Sequence, residues 1–379
     1  MKQTIFLDFA STTPMSPSVR AAMEPYFSEQ FYNPSALYLA AKQTKQAVEA
    51  ARSTVAQLMG VRPTEVIFAA GSTEANNIAI KGVMAAHPGA HCVVSAVEHD
   101  SVLYCAQNYS CSVLAVHTSG LVDLDALPKL IQDDTVLVSC MLANNEIGTV
   151  QPVAEVAKII TSVRQERLKN GNKLPLLLHS DAAQAFNYMQ VLPNTLGVDF
   201  VVISGSKIYG PKQAAVLYVR SGLCVPPLLS GGGQEWGLRA GTENVPGTIG
   251  LAAAMQEAAI LRPAEVKRMK DMQHYFLAQL KAKIPQFQLN GSLKHRLPNN
   301  VHITLPGMDN ETLVMQLDER GIMAAAGSAC SASNDEPSHV LKAIGLSDKD
   351  AQSSLRFSLG RTTTTADIDV TVATLAALL

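Results

Sequence analysis

A lysine, a carboxylate, an imidazole and a pair of adjacent hydroxyls occur in this chain in one kind of place, directly after a run of apolar, strand-like residues. Gly71-Ser72-Thr73-Glu74 follows the run ending at Ala70 and opens a helical pattern. Unpaired N–H groups, the positive end of a helix and two hydroxyls make a cradle there for an anion or phosphate. Asp181 follows the run 175–179, with Gln184 one helical step beyond. Ser204-Gly205-Ser206-Lys207 follows the run ending at Ile203, and Glu98-His99 the run ending near Ala96. Singly, each has an ordinary structural explanation: a helix cap, a solvated lysine, a surface histidine. In open α/β sheets, however, ligands bind beyond the carboxyl ends of the strands, which brings these residues to one sheet edge. Together they match the needs of pyridoxal 5'-phosphate: a Schiff-base lysine, a carboxylate opposite the pyridinium nitrogen, a ring-stacking group and phosphate donors. The chain has no GxxxxGK[ST] loop and no convincing GxGxxG turn to favour a nucleotide instead.

The six cysteines form no CxxC pair and no Cys/His spacing of the zinc kind, so no metal site is expected. Cys92, Cys140 and Cys224 lie in apolar, strand-like runs and read as small buried hydrophobes. Cys330 differs. It sits in Ala326-Gly327-Ser328-Ala329-Cys330-Ser331-Ala332-Ser333, a stretch of small residues with no packing side chain nearby. A lone thiol in such a stretch is a candidate nucleophile.

The elements that must position these groups alternate. Residues 36–59 read as a helix with an apolar stripe and Gly60 as its stop. Strand-like runs follow at 65–69, 91–97, 112–117, 135–142, 174–179, 199–204 and 214–219, with helical stretches such as 73–87, 101–109 and 153–169 between them. Several runs are apolar throughout, as in a parallel sheet covered on both faces. The pattern predicts an α/β fold with about seven strands. After residue 260 the texture changes: Arg262-Pro263 is expected to break one helix, and 264–284 to continue as another. A strand (300–305), a helix (310–320), the Cys330 segment, a strand (354–359) and a terminal helix (365–379) follow. The expected organisation is therefore a large domain, 15–260, and a smaller α+β domain made of 1–14 and 261–379.

Composition excludes other classes. The chain has 379 residues, 47% apolar, 16% charged and 5% aromatic, which rules out disorder. A formal charge of −2 argues against a nucleic-acid binder. No apolar run approaches the ~18 residues of a membrane-spanning helix, and Asp8 interrupts the N-terminus before a signal-type run develops. A soluble, cytoplasmic protein is expected.

The ordered motifs resemble those of class V aminotransferase-fold enzymes, specifically the NifS/IscS-type cysteine desulfurases. The resemblance runs from Leu7-Asp8-Phe9-Ala10-Ser11-Thr12-Thr13-Pro14 to Ser354-Leu355-Arg356-Phe357-Ser358-Leu359-Gly360-Arg361. Between them lie Gly71-Ser72-Thr73-Glu74-Ala75-Asn76-Asn77, Asn144-Asn145-Glu146-Ile147-Gly148, Asp181-Ala182-Ala183-Gln184 and Lys207-Ile208-Tyr209-Gly210-Pro211-Lys212. Gly231-Gly232-Gly233-Gln234-Glu235, Arg239-Ala240-Gly241-Thr242 and Gly327-Ser328-Ala329-Cys330 complete the series. The resemblance implies a pyridoxal-phosphate enzyme that converts L-cysteine to L-alanine. Lys207 matches the lysine that carries the cofactor and shuttles the substrate proton. Asp181 matches the carboxylate at the pyridine nitrogen, His99 the stacked imidazole with a part in proton transfer, and Gln184 the donor to the ring oxygen. Ser72, Thr73, Ser204 and Ser206 match phosphate contacts, and Thr242 the one lent across a homodimer. Asn145, also at the cofactor, and Arg356 match the substrate-binding residues, with Arg356 on the α-carboxylate. Cys330 matches the nucleophile that becomes a persulfide and passes sulfur to a protein acceptor such as an iron–sulfur scaffold.

Two positions depart from the family. Ser206 stands where most relatives have a histidine, which removes a possible positive charge from the phosphate site. Trp236 stands in a segment that commonly carries a further arginine in relatives; it is expected at the dimer interface or the pocket rim. The alternative activities are selenocysteine lysis or another reaction on the same scaffold. A non-catalytic relative would have lost Lys207, Asp181 or Arg356, and all three are present.

Overall fold

The computed structural model describes residues 4–327 and 337–379. Seven strands form the central sheet: β1 (Val66–Ala69), β2 (His91–Ser95), β3 (Ser110–Leu114), β4 (Thr135–Ser139), β5 (Leu177–Asp181), β6 (Phe200–Ser204) and β7 (Ala215–Val219). Their order is β1-β7-β6-β5-β4-β2-β3. β7 runs antiparallel to both its neighbours, and the other pairings are parallel. All of these strands except β3 are buried along their whole length, because helices cover both faces. β3 is the sheet edge and is half exposed. It begins two residues before the expected run because its polar Ser110 and Ser112 suit an edge.

One face packs Val66, Phe68, Val138, Leu178, Val201 and Ile203 against the helices Leu39–Met59, Val153–Lys169 and the first half of Val245–Lys283. The other packs Val94, Leu137, Val202 and Leu217 against Ser72–Ala86 and Asp100–Ala106. Gly60, at φ +65°, closes the Leu39–Met59 helix as expected.

The expected break at Arg262-Pro263 does not occur. Val245–Lys283 is one helix with Pro263 inside it. Proline removes one helical N–H and costs about 3 kcal/mol, but Pro263 lies on the exposed side of the helix. The helix is anchored on both sides of it: Leu251, Met255 and Ala258 in the core of the large sheet, and Met269, Met272, Phe276 and Leu280 in a separate C-terminal core. That second core is built on the antiparallel pair β8 (Asn300–Thr304) and β9 (Ser354–Ser358), with Gln288–Leu289 alongside β8. Ile5–Phe6 joins it by pairing with Ile322–Met323. The run containing Cys224 is likewise not a strand, and Cys224 is exposed. Pro226 and Pro227 supply no N–H for a ladder. Cys92 and Cys140 are buried as expected. Among the described residues, no helix is long and apolar enough to cross a membrane.

Candidate active site

Lys207 ends a single 3-10 turn, Gly205–Lys207, that leaves β6. The turn needs a glycine at its first position, since a Cβ on Gly205 would lie 2.6 Å from the Pro211 carbonyl oxygen. The N-terminal segment clasps this turn. Thr13 N and Oγ1 both donate to the Ser206 carbonyl, at 2.9 and 3.1 Å. The Lys207 ammonium donates to the Ser11 carbonyl, and Asn187 Nδ2 to the Lys207 carbonyl at 2.8 Å.

Beside it opens a cleft of about 730 Å³ lined by Ser11, Thr12, Ser72, Thr73, Ser204 and Ser206, with Lys212 on its wall. The cleft thus gathers the four expected phosphate hydroxyls from two separate stretches of chain, with Ser11 and Thr12 from a third. The N–H groups of Ser72 and Thr73 belong to the first turn of the Ser72–Ala86 helix, where intrahelical acceptors are absent. Thr12 Oγ1 is buried without a hydrogen-bond partner. Lys212 received no role from sequence reasoning, yet it brings to this cleft the positive charge that Ser206 lacks. Thr242 is exposed and is not among the residues lining the cleft.

Asp181 is the last residue of β5 and is nearly buried. Its Oδ1 accepts from Ala183 N (2.9 Å) and its Oδ2 from Asn76 Nδ2 (2.8 Å). Asn76, fully buried in mid-helix, also donates to Ser101 Oγ (2.9 Å) and pairs through Oδ1 with His179 Nε2 (3.1 Å). Burial lowers His179 to about 4, although Asp181 pulls it upward. The ring is therefore neutral, with its proton on Nε2 facing Asn76 and with Nδ1 facing Ser139 Oγ at 2.8 Å. His99 caps the Asp100–Ala106 helix: its Nδ1 accepts from Ser101 N at 3.1 Å and lies 2.9 Å from Ser101 Oγ. One hydrogen-bonded chain, His99–Ser101–Asn76–Asp181, thus connects the two residues that the sequence assigns to the cofactor ring. Sequence reasoning missed Asn76. A polar amide on the inward face of an otherwise apolar helix was the available signal.

Glu98 is completely buried. Its Oε1 accepts from Ser95 Oγ (2.8 Å) and Met141 N (2.5 Å), and its Oε2 has no partner. Burial pushes its carboxyl up to about 7, and Asp181 adds to the shift. Gln184 Nε2 donates to the Ala10 carbonyl at 2.9 Å.

Arg356, on β9, is 1% exposed. It donates to Asp8 Oδ1 (2.6 Å) and to the Asn145 carbonyl (3.0 Å), while its Nε is buried and unpartnered. Cys330 lies outside the described residues. Beyond that segment, Ser338 Oγ donates to the buried Glu146 at 2.6 Å, and His339 Nε2 is paired with the Glu98 carbonyl at 2.9 Å.

The profile of the family "Aminotransferase class-V" matches residues 5–370. The chain is 39% identical over 379 residues to the cysteine desulfurase IscS of Dictyoglomus turgidum, covering 98% of this chain and 93% of that protein. A NifS-like protein from Rickettsia africae superposes with a TM-score of 0.88 at 30% identity, covering 99% of each chain. SspA, solved in complex with cysteine, superposes at 0.80 with 31% identity over 94% of this chain and 99% of that one. The chain belongs to the class-V aminotransferase family. Its relatives place it among the pyridoxal-phosphate-dependent cysteine desulfurases of that family. The residues present fit that cofactor: in the cleft, hydroxyls, helix N–H groups and Lys212 for a phosphate, and, outside the cleft lining, the buried, doubly hydrogen-bonded Asp181 carboxylate for a ring nitrogen.

Proposed function

We propose that the chain converts L-cysteine to L-alanine and carries the released sulfur as a persulfide on Cys330. The observation that supports this reading most is the meeting of the hydroxyl-lined cleft, the Lys207 turn and the Asp181–Asn76 network at the carboxyl ends of β1, β5 and β6. In this reading Ser72, Thr73, Ser204, Ser206 and Lys212 hold the cofactor phosphate, and Thr242 serves the partner subunit of a homodimer. Asp181 meets the ring nitrogen, His99 the ring face, and the second amide hydrogen of Gln184 the ring oxygen. When bound, the cofactor supplies an electron sink that acidifies the substrate Cα.

The chain's own residues do the rest. Arg356 Nε, buried and unpartnered, is the donor available to the substrate α-carboxylate, with Asn145 alongside. The Lys207 amine takes the Cα proton. His99 accepts from Ser101 N through Nδ1, so in its neutral form it holds its proton at Nε2. The Cys330 thiolate attacks the substrate sulfur: an S–S bond forms, the Cβ–S bond breaks, and its electron pair stays with the carbon skeleton. That skeleton takes one proton at Cβ, recovers the Cα proton from Lys207, and leaves as L-alanine. The large unit, 15–260, carries the cofactor, and the smaller one, 1–14 and 261–379, carries Cys330. The acceptor is a protein such as an iron–sulfur scaffold, and the setting is the cytoplasm.

The test is Cys330→Ser. It should bind pyridoxal phosphate as the parent does but make alanine from L-cysteine at least about 100-fold more slowly, because a hydroxyl is a poor nucleophile toward sulfur. Alanine production at a near-parental rate would remove Cys330 from the mechanism.

A further inference from the structure

Three of the chain's cysteines lie together far along the sheet from the Lys207 turn. Cys92 is on β2 and Cys111 on the edge strand β3, and the two are direct register partners. Both pack in the same apolar layer, where Cys105 of the Asp100–Ala106 helix joins them. Cys92 is fully buried and Cys111 is half-buried at the edge. Adjacent strands run about 4.8 Å apart, inside the ~4.4–6.8 Å Cα separation that a disulfide spans. Cys111 Sγ lies 3.7 Å from the Ser112 carbonyl oxygen; the neighbouring Cys92 thiol holds Cys111 below the ordinary thiol range, and Cys111, with burial, pushes Cys92 up. An accessible sulfur with thiolate character beside a second, sheltered thiol is the arrangement of an oxidisable pair with its own resolving group.

We propose that Cys92 and Cys111 form a redox modification site, distinct from the cofactor cleft, that peroxides convert to a disulfide. The Cys111 thiolate attacks one peroxide oxygen; the S–O bond forms, the O–O bond breaks, and hydroxide leaves and is protonated. The Cys92 sulfur then attacks the Cys111 sulfur; the S–S bond forms, the S–O bond breaks, and hydroxide leaves with the Cys92 proton as water. Two thiols lose two electrons and hydrogen peroxide becomes two waters. The bond ties the edge strand to β2, the strand that leads into Glu98 and His99.

The experiment is peptide mapping of the holoenzyme after hydrogen peroxide. The expected result is loss of the free Cys92 and Cys111 thiols together, a peptide that joins them, and recovery of both with dithiothreitol. In Cys92→Ser, Cys111 should instead be trapped by dimedone as the sulfenic acid, without the joined peptide. Peroxide that oxidises the exposed Cys224 while leaving Cys111 free would overturn the proposal, as would a joined peptide pairing Cys111 with any other cysteine. The parental mapping decides the matter even if the serine variant fails to fold.

Discussion

Asn76 sits in mid-helix, where a short amide side chain competes with the backbone and is seldom favoured. It is kept there by three partners in two elements, and through them it holds Asp181 and reaches His99. Glu98 lies nearby and gives a measurable signature. An unfolded glutamate titrates near about 4.3, whereas the buried one is pushed up to about 7. Between those values the folded state binds a proton that the unfolded state has lost, so stability falls as pH rises through the window and stays reduced above it. The difference amounts to at most about 3–4 kcal/mol. Glu98→Gln, which cannot ionise, should therefore gain melting temperature relative to the parent as pH is raised from about 5 to 8; a difference that stays flat with pH would contradict the assignment. The placement of Lys207, Asp181, His99 and the serines at strand ends was legible from sequence because each lies at or just after the end of an apolar run. Asn76, Lys212 and Asp8 were not, because their roles depend on which distant strand or loop they face.

At the scale of elements, strands with continuous apolar runs were readable to within a few residues, since burial on both faces keeps most of their positions apolar. The Arg262-Pro263 break was misread because a local rule met two cores. Helix packing on either side of Pro263 outweighs a penalty of about 3 kcal/mol. Replacing Pro263 with Ala restores one N–H to a helix that is already formed, and the loss of chain stiffness in the unfolded state offsets part of the gain. Pro263→Ala should stabilise the protein by about 1–2 kcal/mol, read as a higher denaturant midpoint at unchanged slope. A lower midpoint would mean that the proline shapes a bend the two cores require.

For the whole molecule, the glycine-rich segment is fastened at its middle and exposed at its tip. Glu235 forms a bidentate ion pair with Arg52 at 2.7 and 2.8 Å and accepts from Phe68 N at 2.8 Å, all buried. Trp236 lies over the same arginine at 5.5 Å from its ring centroid but remains 55% exposed. Phe31, Leu37 and Leu39, before and at the start of the helix that carries Arg52, are exposed as well. Exposed apolar side chains of this size call for a covering partner, and a second copy of the chain meets that need under the proposed homodimer. Sedimentation at assay concentration should give a dimer; a fully active monomer would contradict it.

The central claim is that Lys207 carries the cofactor in the cleft. Lys212 lines the same cleft, so the distinction can be measured. Borohydride reduction of the pyridoxal-phosphate-loaded protein, followed by peptide mapping, should place the label on Lys207, with Lys207→Ala losing both the label and the yellow colour. Label on Lys212, or on any other lysine of the parent protein, would contradict the account.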